Sequence, residues 1–532
     1  MSELGQAHLS RRVLSLGHAG SYIEQDGVAL LCDPWFTDGG AMLHRLHQFP
    51  PNDIFDFAEF ERVRFIYLSH EHEDHFDPQF LTRFVGRDVT ILVARFVSDR
   101  IVGKLNRLGL TQVERLKDWH PRQLGPRFFV QIVRDPALYR LDSTIVIDAG
   151  GLHLVNFNDS HIPRGDFARL REFGVDVLMG QFSCAHWFPH VNGFSADELR
   201  AKAFPIRDRI LNGFIELANG IGAKLVLHNS GPFCFLHDDL FAFNFKENGA
   251  YWDQMDVLPL LQKALTGQVR VTLPGDALQF DATGQLTAVT ARMSFDFSQK
   301  EQLLRQYQQQ RMPAIARHEA QYLPPDPTTL QQFGHVVGQL LSASDYLRNR
   351  VDCVAQFALT GPHGGQFWVD VRDGALRICD QAPSAAKFEF ALPSVIAQQV
   401  AVGRTTMEDV FPSMYLQIRE PGGIYNHALI ALLMYGDNPP VLRTVELHMR
   451  NEDTFVAHDG DEVLQVQRFC PHAGQDLCDE PVVDGKIVCP RHGWIFDLRA
   501  NGACVSGGHA DLRVQRMGQR TTIEQPPPPH GA

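Results

Sequence analysis

The run Val63-Arg64-Phe65-Ile66-Tyr67-Leu68 is apolar, β-branched and aromatic, and it stops abruptly at Ser69-His70. That pattern predicts a buried strand delivering a polar loop. Leu30-Leu31-Cys32, ending at Asp33-Pro34-Trp35, reads the same way. Residues 144–158, TIVIDAGGLHLVNFN, predict a two-strand hairpin turning at Gly150-Gly151 and ending at Asp159. Phe128–Val133 is another strand, and Lys224–Leu227 is a short one that delivers His228. The pattern changes over 290–325, where FSQKEQLLRQYQQQRM is polar, Gln-rich and helix-prone. Pro324-Pro325-Asp326-Pro327 then breaks the chain, which suits a linker and boundary. Residues 328–440 return to strands (Gln366–Val371, then Leu376–Ile378) among helical pieces.

A chain of 532 residues suggests about three or four domains, with ample core and no need of disulfide staples. The formal charge of −13 and the lack of a competing basic patch argue against nucleic acid as a partner. No apolar run approaches the ~20 residues of a membrane span, and the start, MSELGQAHLSRRV, lacks the apolar core of a signal peptide. The proline run Pro526–Pro529 predicts a disordered tail.

Two pockets carry the firmest chemistry. Cys470-Pro471-His472 and Cys489-Pro490-Arg491-His492 give C-x-H, sixteen residues, then C-x-x-H. Each pocket mixes one thiolate with one imidazole, whereas zinc fingers pair like with like. Gly474 and Gly493-Trp494 follow the pockets, and residues 441–518 resemble the Rieske family. The resemblance implies a [2Fe-2S] cluster with both cysteines on one iron and both histidines on the other. The respiratory branch adds a disulfide between its loops. Gln475 and Arg491 stand at the matching positions here, and Cys478 has no partner in the second loop. The oxygenase or ferredoxin type is therefore expected, with a potential toward the lower end of the Rieske range. Cys504 reads as a packed loop cysteine. Nine cysteines, an odd number with two committed to iron, fit a reducing, cytoplasmic interior.

The loop after Val63–Leu68 reads His70-Glu71-His72-Glu73-Asp74-His75, an H-x-H-x-D-H pattern. Such a turn can aim four ligands at one point, with imidazoles for a transition metal and a carboxylate for a second ion. It resembles the metallo-β-lactamase superfamily. By that resemblance the metal ligands are His70, His72, Asp74, His75, a bridging Asp159 and a final His228, with Asp74 and His75 as the catalytic pair. The opening, Leu16-Gly17-His18-Ala19 with Leu30–Trp35, is similar to the lactonase-like branch, in which Asp33 would cap its strand and orient the metal loop. One departure stands out. A further histidine is usual after a strand such as Phe128–Val133, but Arg134-Asp135 follow it here. His120 lies too early and His153 lies mid-strand. Loss of that ligand favours a mononuclear or carboxylate-rich iron site over a two-zinc one. His161, His186, His190 and His237 are read as ordinary loop histidines, with contacts to the site or its substrate as the alternative.

The two sites in one chain, with Asp33–Thr37, Leu46–Pro51, Phe65–His70, Asp142–Ile147 and Leu273-Pro274-Gly275-Asp276, resemble the CMP-N-acetylneuraminate hydroxylase family over roughly residues 10–290. In that family the Rieske domain comes first, whereas here it is last. Lys387–Pro393 and Gly403–Phe411 resemble the sterol-carrier-like α+β fold, with structural spacing or dimerisation its expected role and ligand binding the alternative. The expected architecture is multidomain α+β. A metallo-β-lactamase-like αββα sandwich spans 1–288, a linker 289–327, a sterol-carrier-like domain 328–440, an all-β Rieske domain 441–518 and a tail 519–532. The implied function is a Rieske-dependent non-haem iron oxygenase. It would take electrons from NAD(P)H through a reductase or ferredoxin and hydroxylate or N-oxygenate a small-molecule substrate with O2. A homo-oligomer would suit electron transfer between chains. The alternative is a zinc hydrolase of lactones or phosphodiesters with a redox-sensing Rieske domain, and a bare electron carrier is the third class.

Overall fold

The computed structural model describes residues 11–137, 140–183, 187–228, 231, 233–420, 426–450, 453–506 and 510–519. They form two compact units, one running to Thr444 and the other from Val445 onward.

Two sheets face each other in the first unit. One has the order Leu286–Thr290, Ala277–Phe280, Arg11–Gly17, Gly20–Gln25, Val28–Cys32, Val63–Tyr67, Thr90–Ala94, Val113–Leu116. The other has the order Gln268–Arg270, Leu225–His228, Val177–Gly180, Leu152–Asn156, Ser143–Ala149, Phe128–Arg134, Arg122–Gly125. Strand periodicity sorts the side chains: Ile145 and Ile147 join Leu30, Ile66 and Leu92 in the core between the sheets, while Val146 faces the other way. Val146, Val155, Leu178 and Val226 are covered by helices Phe167–Phe173, Ala196–Ile221 and Gln254–Ala264 through Leu170, Phe214, Leu217 and Leu261. On the first sheet, helices Pro78–Leu81 and Arg100–Arg107 bury Phe80, Ile101 and Leu105. The result is the αββα layering expected from the sequence. The 144–158 hairpin forms as Ser143–Ala149 and Leu152–Asn156. It turns at Gly150 (φ 62°) and Gly151 (φ 86°), a left-handed pair that glycine adopts without strain.

Within the stretch expected as a linker, 289–327, lies the helix Lys300–Glu319. Leu304, Tyr307 and Ile315 pack on Phe49, Leu236 and Phe241, so this part of the stretch is docked. Its apolar residues recur at helical spacing, but the Gln-rich opposite face dominates the composition. Farther along, a five-stranded sheet runs Arg377–Cys379, Gly365–Asp370, Val354–Thr360, Phe388–Pro393, Gln417–Arg419. Phe357 stacks between Phe367 and Phe390 at ring-centroid distances of 5.2 and 4.9 Å. Helices Thr329–Ser342, Ser394–Ala401 and His427–Tyr435 accompany this sheet. Ile418 N–H donates to Val191 O at 2.9 Å, which ties the sheet's edge to the αββα layers.

The second unit holds two three-stranded antiparallel sheets, one of Thr454–Asp459, Glu462–Gln467 and Val514–Gln519, the other of Lys486–Val488, Ile495–Asp497 and Ala503–Cys504. Leu464, Val466, Leu477, Ile487, Phe496 and Leu498 form its core. Gln519, expected to open the tail, ends the last strand; the rest of the tail and the first ten residues lie outside the described residues. Among the described residues, no helix is long and apolar enough to cross a membrane.

Candidate functional site

The N-terminal site lies at the carboxyl ends of the parallel strands, where open α/β sheets leave loops free to converge. Asp33 follows Val28–Cys32 and Ser69 follows the neighbouring strand Val63–Tyr67. Ser69 N–H and Oγ–H donate to the two Asp33 oxygens at 2.8 and 2.6 Å. The loop beyond winds into one turn, with the N–H groups of His75 and Phe76 donating to His72 O at 3.0 and 2.7 Å. Asp77 closes it by capping helix Pro78–Leu81 and accepting from Phe36 and Thr37 N–H. From the second sheet, Ser143 Oγ–H donates to Ser69 O at 2.9 Å, fixing the base of the loop between the layers.

This turn brings together His70, His72, Asp74 and His75, and Asp159 joins them from beyond Leu152–Asn156. His70 Nε2 is 2.9 Å from His72 Nδ1. His75 Nε2 is 3.7 Å from both Asp74 Oδ2 and Asp159 Oδ1. Each of the sets His70–His72–Asp74, His70–His75–Asp159 and His18–Asp74–His75 has its ligand atoms within 4.8 Å of one another. The sequence-predicted ligand His228 ends its strand outside these sets. His18, absent from the predicted ligands, enters them, with Nε2 at 3.1 Å from Asp74 Oδ2.

The ring orientations suit a metal. His75 Nδ1 is 3.0 Å from Asp33 Oδ2, and His70 Nδ1 is 3.4 Å from Asp142 Oδ1. A proton on each Nδ1 can be held by its buried carboxylate, leaving both Nε2 lone pairs for the centre, the arrangement usual for metal-bound histidine. Asp33 therefore orients the loop as the sequence implied. Asp142, which motif reading did not single out, does the same for His70. Among the described residues, His75 Nε2 and Asp74 Oδ1 are buried without hydrogen-bond partners. Such orphaned atoms, one a ring nitrogen and one a carboxylate oxygen, are what an ion would satisfy.

Electrostatics point the same way. Burial pulls the His72 imidazole down to about 3, with His70 adding to the effect, and burial also holds His70 well below its ordinary value. These rings are neutral, as ligands must be. Burial opposes the charged form of His75, but Asp74, Asp159 and Asp33 outweigh it and carry the ring up to about 10, so a cation bound at Nε2 would displace a second proton from this ring. Burial raises Asp159 to about 6, against the pull of His75. The centre thus concentrates carboxylate charge that a cation would neutralise. Where a further histidine was sought, after Phe128–Arg134, the buried Asp135 instead accepts from Ala137 and His161 N–H.

Three of the other histidines named above have partners of their own. His190 stacks on Tyr251, His237 meets Glu319 and His153 stacks on Phe173. His186 lies outside the described residues.

In the second unit, Gly474 N–H donates to Cys470 O at 3.0 Å and Gly493 N–H to Cys489 O at 2.8 Å. Both glycines are left-handed, at φ 66° and 63°, which lets each loop close behind its ligands. The rings of His472 and His492 lie 4.5 Å apart, and His472 stacks on Trp494. Cys470 and Cys489 are buried, and Cys504 hydrogen-bonds locally through Asp511 and Ser506. Two buried thiols and two adjacent imidazoles supply the donor types of a [2Fe-2S] cluster.

Residues 440–515 match the Rieske [2Fe-2S] domain family. Across 95% of its length the chain is 26% identical to a candidate Rieske 2Fe-2S iron-sulfur protein of Mycolicibacterium smegmatis, covering 100% of that protein. The same coverage and identity hold for one from Mycobacterium tuberculosis. Among solved structures the chain is similar to Igni18, a metallo hydrolase from Ignicoccus hospitalis, at 14% identity and a TM-score of 0.36, over 51% of this chain and 98% of that one. It is also similar to CmlA, a diiron β-hydroxylase from Streptomyces venezuelae, at 18% identity and a TM-score of 0.36, over 51% and 54% of the two chains. The chain is a multidomain protein of mixed α/β structure that carries a Rieske [2Fe-2S] domain at residues 440–515.

Proposed function

We propose that this protein is a Rieske-dependent non-haem iron oxygenase that hydroxylates or N-oxygenates a small-molecule substrate with O2. In this reading Cys470, His472, Cys489 and His492 hold the cluster. His70, His72, Asp74, His75 and Asp159, with His18 beside Asp74, hold iron. When bound, the cluster supplies single electrons originating in NAD(P)H and relayed by a reductase or ferredoxin, and the iron supplies O2 activation. The protein's own contribution is positional. Asp33 and Asp142 hold protons on His75 and His70 so that both Nε2 atoms face inward, Asp74 and Asp159 furnish negative charge, and burial keeps bulk water from the centre. Asp74 and His75 lie nearest the chemistry. A cytoplasmic setting keeps the Cys470 and Cys489 thiolates reduced.

The observation that carries this reading is a buried centre of imidazoles and carboxylates in the same chain as the Rieske ligand pockets. A zinc hydrolase would use the same donors but leave the pockets no part in its reaction. This division of labour is the one that the resemblance to the CMP-N-acetylneuraminate hydroxylase family implies. The test is anaerobic purification followed by counting iron, zinc and acid-labile sulfide per chain, with the EPR spectrum of the reduced protein. More than two irons per chain supports the oxygenase, and two irons plus stoichiometric zinc rejects it. Cys470→Ser should abolish oxygenase turnover altogether, whereas a hydrolase would keep part of its activity.

A further inference from the structure

The two ligand loops of the Rieske domain are joined by a buried side-chain pair. Arg491 Nε–H donates to Gln475 Oε1 at 3.1 Å, and the two residues are only 3% and 2% exposed. Their positions are those at which the respiratory branch places its disulfide. Arg491 lies between the ligands Cys489 and His492, and Gln475 lies three residues beyond His472. The backbone of Gln475 is itself part of the first loop, its carbonyl accepting from Cys470 N–H at 2.8 Å. On the outer side of that loop Asp476 is paired with Arg468 at 2.7 Å and accepts from Cys478 N–H, so the Gln475 side chain reaches inward from an anchored backbone.

We infer that Arg491 and Gln475 form a non-covalent latch between the two cluster-binding loops, and that the buried Arg491 guanidinium raises the cluster's reduction potential.

The mechanical part follows from geometry. A disulfide holds two loops by covalent restraint; a buried, charge-assisted hydrogen bond holds them because separating the partners gives up a bond between two groups held away from water. The electrostatic part follows from sign. Reduction adds one negative charge to the cluster, and a cation buried in the loop that carries two of its ligands favours the more negative state, since low local dielectric weakens its screening. Arg491 is thus a positioning residue with a redox consequence. The inference rests on the Rieske assignment and is independent of what the N-terminal site does.

Three variants of the full-length, cluster-loaded protein separate the two parts. Gln475→Leu breaks the bond and keeps the cation. Gln475→Glu keeps the link as an ion pair and cancels the charge. Arg491→Met removes both. The readouts are the midpoint potential from a dye-mediated redox titration and the rate at which visible absorbance is lost under a chelator. The latch predicts a several-fold faster loss for Gln475→Leu and Arg491→Met, with a near-native rate for Gln475→Glu. The charge predicts a lowered potential for Arg491→Met and Gln475→Glu. A native rate of loss in Gln475→Leu, or an unmoved potential in Gln475→Glu, overturns the inference, and these two arms stand even if Arg491→Met fails to fold. Neither readout involves turnover, so failure here is distinct from failure of the oxygenase assignment.

Discussion

Arg100→Met is expected to destabilise the first unit although Arg100 is not among the proposed metal ligands. Glu71 sits between His70 and His72 but points away from the centre, where Arg100 Nε–H donates to it at 2.5 Å. The same guanidinium pairs with Glu408 and lies 3.9 Å from Asp437, both in the middle segment. The side chains of Glu71, Arg100 and Glu408 are 7%, 18% and 14% exposed. Methionine would keep the apolar stem while leaving the buried Glu71 and Glu408 carboxyls without the cation they share. Removing one partner of a buried ion pair costs about 3–5 kcal/mol. Lys104 still reaches Glu71 at 3.5 Å and Arg100 is partly solvated, so a loss of about 2–4 kcal/mol is expected. Urea unfolding followed by tryptophan fluorescence measures it, because five of the six tryptophans (Trp35, Trp119, Trp187, Trp252 and Trp368) lie in the first unit. Visible absorbance of the cluster provides a separate probe of the second unit. Adding Glu71→Gln and Glu408→Gln to Arg100→Met should recover at least half of the loss, since neutral amides need no buried cation. A loss below about 0.5 kcal/mol for Arg100→Met, or no recovery in the triple variant, would refute the reasoning.

Burial pushes the Glu408 carboxyl up to about 7 from an ordinary 4.5, against the pull of Arg100. The folded protein therefore holds this proton more tightly than the unfolded chain, and the associated stability is present below pH 4.5 and lost as pH rises to about 7. Glu408→Gln should flatten the fall in unfolding free energy over that window, and an unchanged slope would exclude Glu408 as its source. Asp33→Asn and Asp142→Asn should each weaken metal binding about 10–100-fold, read by chelator competition on the anaerobic protein; native affinity in both would show that these carboxylates do not set the imidazole tautomers. Phe357→Ala should cost about 3–5 kcal/mol in the same urea experiment, because that ring is fully buried between Phe367 and Phe390.

What could be read from the sequence was local. The strand Val63–Tyr67 and its loop, the Gly150-Gly151 hairpin and the two Cys–His pockets each announce themselves within some fifteen residues, because periodicity, turn chemistry and ligand spacing are short-range. His18 could not be found that way. Its partner Asp74 is 56 residues away, and it occupies a two-residue turn, at φ 46°, whose place beside the loop is set by strand order. The available signal was that the hairpin Arg11–Gly17/Gly20–Gln25 precedes Val28–Cys32 in one sheet, so its turn shares an end with Asp33. His228 ends a buried strand as the motif implied, with its Nδ1 buried and, among the described residues, without a hydrogen-bond partner, but it lies outside the three tight ligand sets. Asp142 needed both sheets in place, since it meets His70 only where Ser143 ties to Ser69.

The alternation His70-Glu71-His72-Glu73 also carries an argument that no motif states. The turn that sends the histidines inward sends the glutamates to the reverse of the loop. Glu71 reaches Arg100 and, through it, Glu408 of the middle segment. Glu73 accepts from Leu43 N–H at 3.3 Å, within the consecutive left-handed residues Met42, Leu43 and His44 at φ 51°, 55° and 69°. Left-handed backbone at three successive non-glycine residues is costly and persists only where surrounding structure enforces it. Burial, with Asp409 nearby, raises the Glu73 carboxyl to about 7, so this contact too is made in a low-dielectric layer between loop and middle segment. The His70–His75 loop is therefore clamped from behind by residues more than three hundred positions away in sequence, and the middle segment acts as part of its scaffold. A shift in the helix Met407–Val410 would be felt at His70 and His72 through Arg100 and Glu71, two side chains from the centre.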